Sequence, residues 1–160
     1  MTAIKRKNAQ AANSSANTNF IPPELYLCDT QPSAKMELKY RIMEELLLKI
    51  KAEANKNNTP VVFAIAPSIF QVEDELWQAA IQPQIKETER YEKSYPNGRL
   101  MDFAFENNLT MIDLYPILLD EHNSGKKVYN SNEQHWTAEG NRIVAETLKE
   151  FILGSKLIGN

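Results

Sequence analysis

Between residues 35 and 55 the apolar positions follow the period of an α-helix, because large apolar residues recur at steps of three and four. We expect one face of this helix to point inward through Met36, Tyr40, Met43, Leu47, Ile50 and Ala54. Ser33 stands just before the pattern, where its hydroxyl oxygen can accept a hydrogen bond from a free amide of the first turn. The pattern predicts a long amphipathic helix that packs on a sheet.

The run of residues 61–65, VVFAI, is apolar at every position and lies between two prolines. A continuous apolar run predicts a strand that is covered on both faces, as the strands of parallel sheets are. Further elements are then expected in alternation: helix 72–80, an irregular polar segment 82–94, helix 96–107, strand 110–114, a short helix after Pro116, a weak strand 128–130, and helix 138–153 capped by Thr137. This alternation predicts an α/β fold with a parallel sheet. Two strong strands are fewer than the roughly 5–6 of a typical sheet, which indicates part of a domain.

The chain divides into four segments of different composition. Residues 1–20 are rich in Ala, Asn, Ser and Thr, and we expect them to be a disordered polar leader because they hold few large apolar residues. Residues 21–34 contain three prolines and form an irregular join. Residues 35–154 carry all the strong helix and strand patterns and form one partial domain, and residues 155–160 are a tail.

Composition excludes several classes of partner. The net charge of −3 and the isoelectric point of 5.5 leave no basic surface for nucleic acid. The chain has no apolar run near the ~20 residues of a membrane span and no secretory signal, so we expect a cytoplasmic chain at face value, with the true localisation left open. A single cysteine, Cys28, excludes an intrachain disulfide framework.

His135, in the stretch NEQHWTAEG, is the strongest candidate for chemistry. An imidazole can take a proton from a hydroxyl near neutral pH and return it to a leaving group. Glu133 lies two residues upstream and could orient the ring through its other nitrogen. The alternative is that His135 only packs in a loop at the turn beside Trp136. The residue types alone leave both readings open.

The segment 129–146, YNSNEQHWTAEGNRIVAE, resembles the C-terminal block of SGNH/GDSL-type hydrolases, in which an acid and a histidine precede a helix that begins with a glycine. Upstream, YPNGRL at 95–100 and TMIDLYP at 110–116 are similar to the run into the last strand of that family. The resemblance implies the C-terminal part of a three-layer α/β/α, flavodoxin-like fold with a parallel sheet. It also implies hydrolysis of an acyl or O-acetyl ester, on a small molecule or a carbohydrate.

Carried over onto this chain, the resemblance makes His135 the catalytic base and Glu133 its acidic partner. Asn132 occupies the other position that the acid takes in the family, and its amide cannot be anionic. It also implies that Asp113 binds amides of the turn that follows it. The family's Gly-Asp-Ser nucleophile motif is absent, because none of the five glycines is followed by Asp, and no Gly-x-Asn-Asp segment is present. The resemblance therefore implies a missing N-terminal half.

The sequence leaves two further site hypotheses open. Ser68 follows the strand 61–65 and is an alternative nucleophile, although it lacks the glycine-flanked turn of a nucleophile elbow. His122 and His135, with Glu121 and Glu133, could offer nitrogen and oxygen to a metal, but their spacing matches no recognised ligand pattern. We expect no metal and no cofactor.

The resemblance and the missing nucleophile leave two functional classes. The first is the base-bearing part of an ester hydrolase, inactive by itself. The second is a non-catalytic remnant or interaction domain of the same fold. For partners we expect an ester substrate, and either the missing N-terminal half or a second copy joined through an exposed sheet edge.

Overall fold

The structure is a computed structural model, and it describes residues 22–82, 89–130 and 134–155. The predicted leader, residues 1–20, lies outside the described residues. A 3₁₀ helix, Pro23–Cys28, opens the described chain within the expected irregular join. The α-helices of the described residues are α1 Ala34–Lys56, α2 Ile69–Val72, α3 Asp74–Ile81, α4 Tyr95–Glu106, α5 Tyr115–Asn123 and α6 Ala138–Gly154.

The strands are short and form two separate pairs within the described residues. They are β1 Phe63–Ile65, β2 Met111–Asp113, β3 Tyr129–Asn130 and β4 His135–Trp136. β1 and β2 run parallel, with Ala64 opposite Ile112. β3 and β4 run antiparallel, with Asn130 opposite His135. The protein is therefore an α/β protein that is mostly helical, and the parallel pair is the part that the alternating pattern predicted.

Helix boundaries follow the capping residues closely. The Ser33 hydroxyl accepts from the amide of Met36 at 3.3 Å, which confirms the predicted N-cap of α1. Two asparagines follow the last residue of each of α1 and α4, namely Asn57–Asn58 and Asn107–Asn108. The second asparagine of each pair has a left-handed backbone, with φ of 50° and 52°. The next amide then donates back into the last helical turn, at 3.0 Å in α1 and 2.8 Å in α4. The same device therefore stops each helix before its strand.

The main core lies on the β2 face that carries Ile112 and Leu114. Helices α2, α5 and α6 cover this face with the buried residues Ile69, Val72, Leu118, Ile143 and Val144, together with Val128 and Tyr129. Met111, the neighbour of Ile112, belongs instead to a smaller cluster with Ala104 and Leu109, which Leu47 of α1 also contacts. Alternate residues of β2 thus serve different clusters, as expected for a strand.

Three predictions about packing need correction. Met43 and Ile50 were expected to point inward, yet they are 49% and 50% exposed. β1 was expected to be covered on both faces, yet Ala64 is exposed while Phe63 and Ile65 are half-buried, so the described residues leave the face that carries Ala64 uncovered. The helix expected over 72–80 is two helices, since the backbone at Glu73 is extended with ψ of 109°.

Candidate functional site

His135 lies in β4, where sequence reasoning expected a loop. It pairs across the hairpin with Asn130, and its side chain is exposed. Gln134, just before it, is left-handed with φ of 57°, and its amide donates to the Asn130 carbonyl at 2.8 Å. This turn directs the chain from β3 back along itself, so a hairpin presents the imidazole. Glu133 and Asn132 lie outside the described residues, and the pairing of Glu133 with His135 stays a prediction.

A cavity of about 370 Å³ adjoins His135. Its walls come from three parts of the chain: Ala66 and Pro67 after β1, Tyr129 and the hairpin residues Gln134, His135 and Trp136, and Asn141 of α6. The structure therefore brings the candidate base next to the segment that leaves the carboxyl end of a parallel strand. Ligands of open α/β sheets bind outside the carboxyl ends of the strands.

Tyr129 joins two of these walls. Its hydroxyl donates to the Pro67 carbonyl and forms a hydrogen bond with the Trp136 side chain. Burial raises the pKa of the Tyr129 phenol, and the bond with Trp136 partly offsets this rise. The phenol therefore stays protonated and can donate to the Pro67 carbonyl. Through Tyr129, Trp136, which is the residue after His135, is linked to the segment that follows β1. Trp136 also lines the cavity beside His135.

The start of α6 fixes the other side of the hairpin. Thr137 is its N-cap, as predicted, because its Oγ1 accepts from the Gly140 amide at 3.0 Å and donates to the Lys127 carbonyl at 2.6 Å. A Cβ at Gly140 would lie 2.3 Å from the Val128 carbonyl oxygen. Only glycine allows this approach of helix and strand, so Gly140 positions the segment that carries His135.

Ser68 is a helix cap and not part of the His135 cavity. It is the N-cap residue of α2, and its amide donates to Oε1 of Gln71 at 2.8 Å. Its side chain is half-buried, and it is not among the residues that line the cavity around His135. The described residues therefore give no support to Ser68 as the nucleophile.

A buried polar chain at the carboxyl end of β2 was missed by sequence reasoning. Gln71 Nε2 donates to Asn97 Oδ1 at 2.7 Å, and Asn97 Nδ2 donates to Asp113 Oδ1 at 2.6 Å. Asp113 also accepts from the Tyr115 amide at 2.9 Å, which is the role in the following turn expected for it. Asn97 is only 2% exposed. The motif YPNGRL, which contains Asn97, was the one sequence signal at this position, but it did not indicate which side chains Asn97 binds.

A cavity of about 810 Å³ opens at this second strand end. The acidic and basic side chains that line it are Glu44, Glu92, Arg99, Asp102, Glu106 and Asp113. It holds no histidine, and its arginine already binds Glu37 and Glu44 at 2.8 and 3.1 Å. The candidate chemistry therefore lies in the smaller cavity at the end of β1.

The two histidines do not meet. His122 lines a cavity with Glu73, Asp74 and Glu75, whereas His135 lines the cavity at Pro67. In the described part of the chain, no three His, Cys, Asp or Glu side chains are grouped so that they could hold a metal ion. The hypothesis that His122 and His135 share a metal gains no support from the described residues.

Comparisons with protein-family models, with curated proteins and with solved structures return no match. The resemblance to SGNH/GDSL-type hydrolases therefore rests on the motif residues themselves. None of the described helices has both the length and the apolar character that crossing a membrane requires.

Proposed function

We propose that this chain is the base-bearing C-terminal part of an SGNH/GDSL-type ester hydrolase with a three-layer α/β/α, flavodoxin-like fold. The observation that carries the proposal is the position of His135, which lines a cavity with Ala66 and Pro67 at the carboxyl end of parallel strand β1. The parallel pair joined through helix α4 supports the fold, because parallel strands need a crossover connection and it is usually helical.

In the proposed reaction a serine from outside the described residues attacks the acyl carbon of the ester. His135 takes the proton of the serine hydroxyl and returns it to the alcohol that leaves, which gives an acyl-enzyme. Water then attacks the acyl carbon while His135 accepts a proton from it. His135 returns this proton to the serine oxygen as its bond to the acyl carbon breaks, and the carboxylic acid leaves. Glu133 would bind the second ring nitrogen and keep the reacting nitrogen free of a proton.

The test extends the chain with the residues encoded in frame before Met1. We expect that segment to contain Gly-Asp-Ser and Gly-x-Asn-Asp, and the extended protein to hydrolyse p-nitrophenyl acetate. His135→Ala should lower kcat/KM by about 10²–10⁴, the usual contribution of a general base. A stop codon before such motifs, or turnover unchanged in His135→Ala, overturns the proposal.

Two substitutions serve as matched controls. His122→Ala removes the other histidine, which lines a different cavity, and should leave kcat/KM unchanged. Ser68→Ala should also retain turnover, because Ser68 does not line the His135 cavity. The 160-residue chain alone should turn over no more ester than its His135→Ala variant. A fluorophosphonate adduct on Ser68 would contradict that expectation.

A second candidate function, an interaction domain of the same fold, is favoured by one specific observation. Helix α1 leaves six large apolar side chains between 37% and 50% exposed, namely Leu38, Ile42, Met43, Leu46, Leu48 and Ile50. Exposed apolar surface of this extent marks a site where another protein binds. This function needs no nucleophile, and it is tested by binding rather than by turnover.

A further inference from the structure

The exposed apolar residues of α1 form a continuous stripe. Leu38, Ile42, Leu46 and Ile50 are spaced four apart, so they stand one above the other along the helix, and Met43 widens the row. All five are between 48% and 50% exposed. We call these five residues the α1 stripe.

The α1 stripe lies on the flank of the helix away from α4. The opposite flank is attached by polar bonds, in which Arg99 of α4 binds Glu37 and Glu44, and Lys51 donates at 2.9 and 2.8 Å to two carbonyls at the end of α4. α4 itself packs on β2. We infer that the stripe faces the side of the molecule where β1 is the edge strand of the sheet.

Strand β1 presents an open edge on that side. The Phe63 amide donates to the Thr110 carbonyl at 2.9 Å, and the Leu114 amide donates to the Ile65 carbonyl at 3.1 Å, so these two β1 residues bond toward β2. Because a strand directs alternate residues to opposite sides, the amide and carbonyl of Ala64 point away from β2. In the described residues, β2 is the one strand paired with β1. Such an edge is a template for another strand.

We propose that the α1 stripe and the β1 edge together bind a second copy of this chain. This proposal rests on the second candidate function, the interaction domain, because an N-terminal half that completes the sheet at β1 would cover the same edge. A single two-fold axis, perpendicular to the sheet near Ala64, pairs the two β1 strands antiparallel into one four-stranded sheet. The same axis places the two α1 helices side by side and antiparallel on one face of that sheet. One symmetry operation thus covers both exposed features, and the interface is self-complementary as closed dimers require.

Charge distribution along α1 agrees with this arrangement. When Leu46 lies against Leu46 of the second copy, Ile42 meets Ile50, and Lys39 meets Glu53. Lys39 and Glu53 flank the stripe at its two ends on the same side of the helix. In the single chain the Glu53 carboxylate binds the exposed Lys56, a surface pair that is easily exchanged. Opposite charges therefore meet at both ends of the helix pair.

The first experiment is sedimentation velocity of the full chain at micromolar concentrations. We expect a species of twice 18.3 kDa that dissociates on dilution. Leu46→Lys places two like charges at the axis and should raise the dissociation constant on the order of a hundredfold. Phe105→Lys is the matched control, because Phe105 is an apolar helix residue that is 86% exposed on α4, and it should leave the dimer intact. Circular dichroism checks that both variants are folded.

The second experiment tests the antiparallel register. Lys39→Glu and Glu53→Lys should each weaken the dimer, because each places like charges together, and the double variant should restore it. His135→Ala should dimerise as the wild-type chain does, so a failure of this proposal is distinguishable from a failure of the proposed hydrolase. A chain that stays monomeric, a dimer insensitive to Leu46→Lys, or a double variant as weak as the single ones overturns the proposal. If a different polypeptide covers the stripe, the isolated chain stays monomeric.

Discussion

The hydroxyl of Tyr129 donates to the carbonyl of Pro67, 62 residues earlier in the chain. This bond joins the β3–β4 hairpin to the segment that leaves β1, and the two together form most of the cavity at His135. Tyr129 is buried, and its phenol also meets the Trp136 side chain. The position of the candidate base therefore depends on a tyrosine that was predicted only as part of a weak strand.

Tyr129→Phe should lower the free energy of unfolding by about 1–3 kcal/mol, because the Pro67 carbonyl and the Trp136 indole each lose a buried partner. Urea denaturation followed by circular dichroism measures the change. Tyr26→Phe is the matched control, since the Tyr26 ring is exposed, and it should be near neutral. Equal stability of the two variants would show that the bond to Pro67 contributes nothing.

Gly140→Ala should lower the free energy of unfolding by about 1–3 kcal/mol, because the added methyl meets the Val128 carbonyl, which is backbone and cannot turn aside. Gly98→Ala is the matched change within α4, where a Cβ meets nothing within 4 Å. It should stabilise the chain by about 0.5–1 kcal/mol through helix propensity. Thermal melting of both variants gives opposite shifts if the close approach of α6 to Val128 is as described.

Asn97→Ala should cost about 1–3 kcal/mol of unfolding free energy, because Asp113 and Gln71 each lose a hydrogen bond in a buried place. Asn123→Ala, at the exposed end of α5, should change the stability little. Chemical denaturation of both variants is the measurement. A loss no larger than that of the control would mean that the chain from Gln71 to Asp113 is not a stabilising element.

Alkaline pH should destabilise the chain partly through Cys28. Burial raises the pKa of the Cys28 thiol from 9.0 to about 12, so the unfolded chain ionises this thiol first as the pH rises. The stability due to the neutral thiol is complete below pH 9 and is lost between pH 9 and about 12. In Cys28→Ala the fall in unfolding free energy from pH 8 to pH 10 should be smaller by roughly 1 kcal/mol. An identical fall in both proteins would contradict the assignment.

Local sequence signals predicted the helices well, because their ends depend on neighbouring residues. Ser33 and Thr137 cap α1 and α6 as expected, and the Asn-Asn pairs end α1 and α4 where the apolar periods stop. The parallel pair of strands also followed from the apolar runs. For the helix ends, the deciding contacts lie within about five residues along the chain.

The missed features depend on contacts that the pattern of apolar and polar residues does not show. β4 has two residues and no strand pattern of its own, and it exists because the left-handed Gln134 returns the chain to Asn130. Asn97 is buried because Gln71 and Asp113 come to it from other elements. The apolar period of α1 showed that one face is wide, but it could not show which part packs on this chain.

The attachment of α1 to the rest of the protein has a consequence for hydrogen exchange. Besides the packing of Tyr40 and Leu47, polar bonds attach the helix: Arg99 forms an ion pair with Glu44, and Lys51 donates to the Asn107 carbonyl. The core cluster around Leu118 contains no residue of α1. Salt screens such bonds and leaves apolar packing in place. The amides of α1 should therefore exchange with solvent as one group, faster as salt rises, while the amides around Leu118 keep their protection.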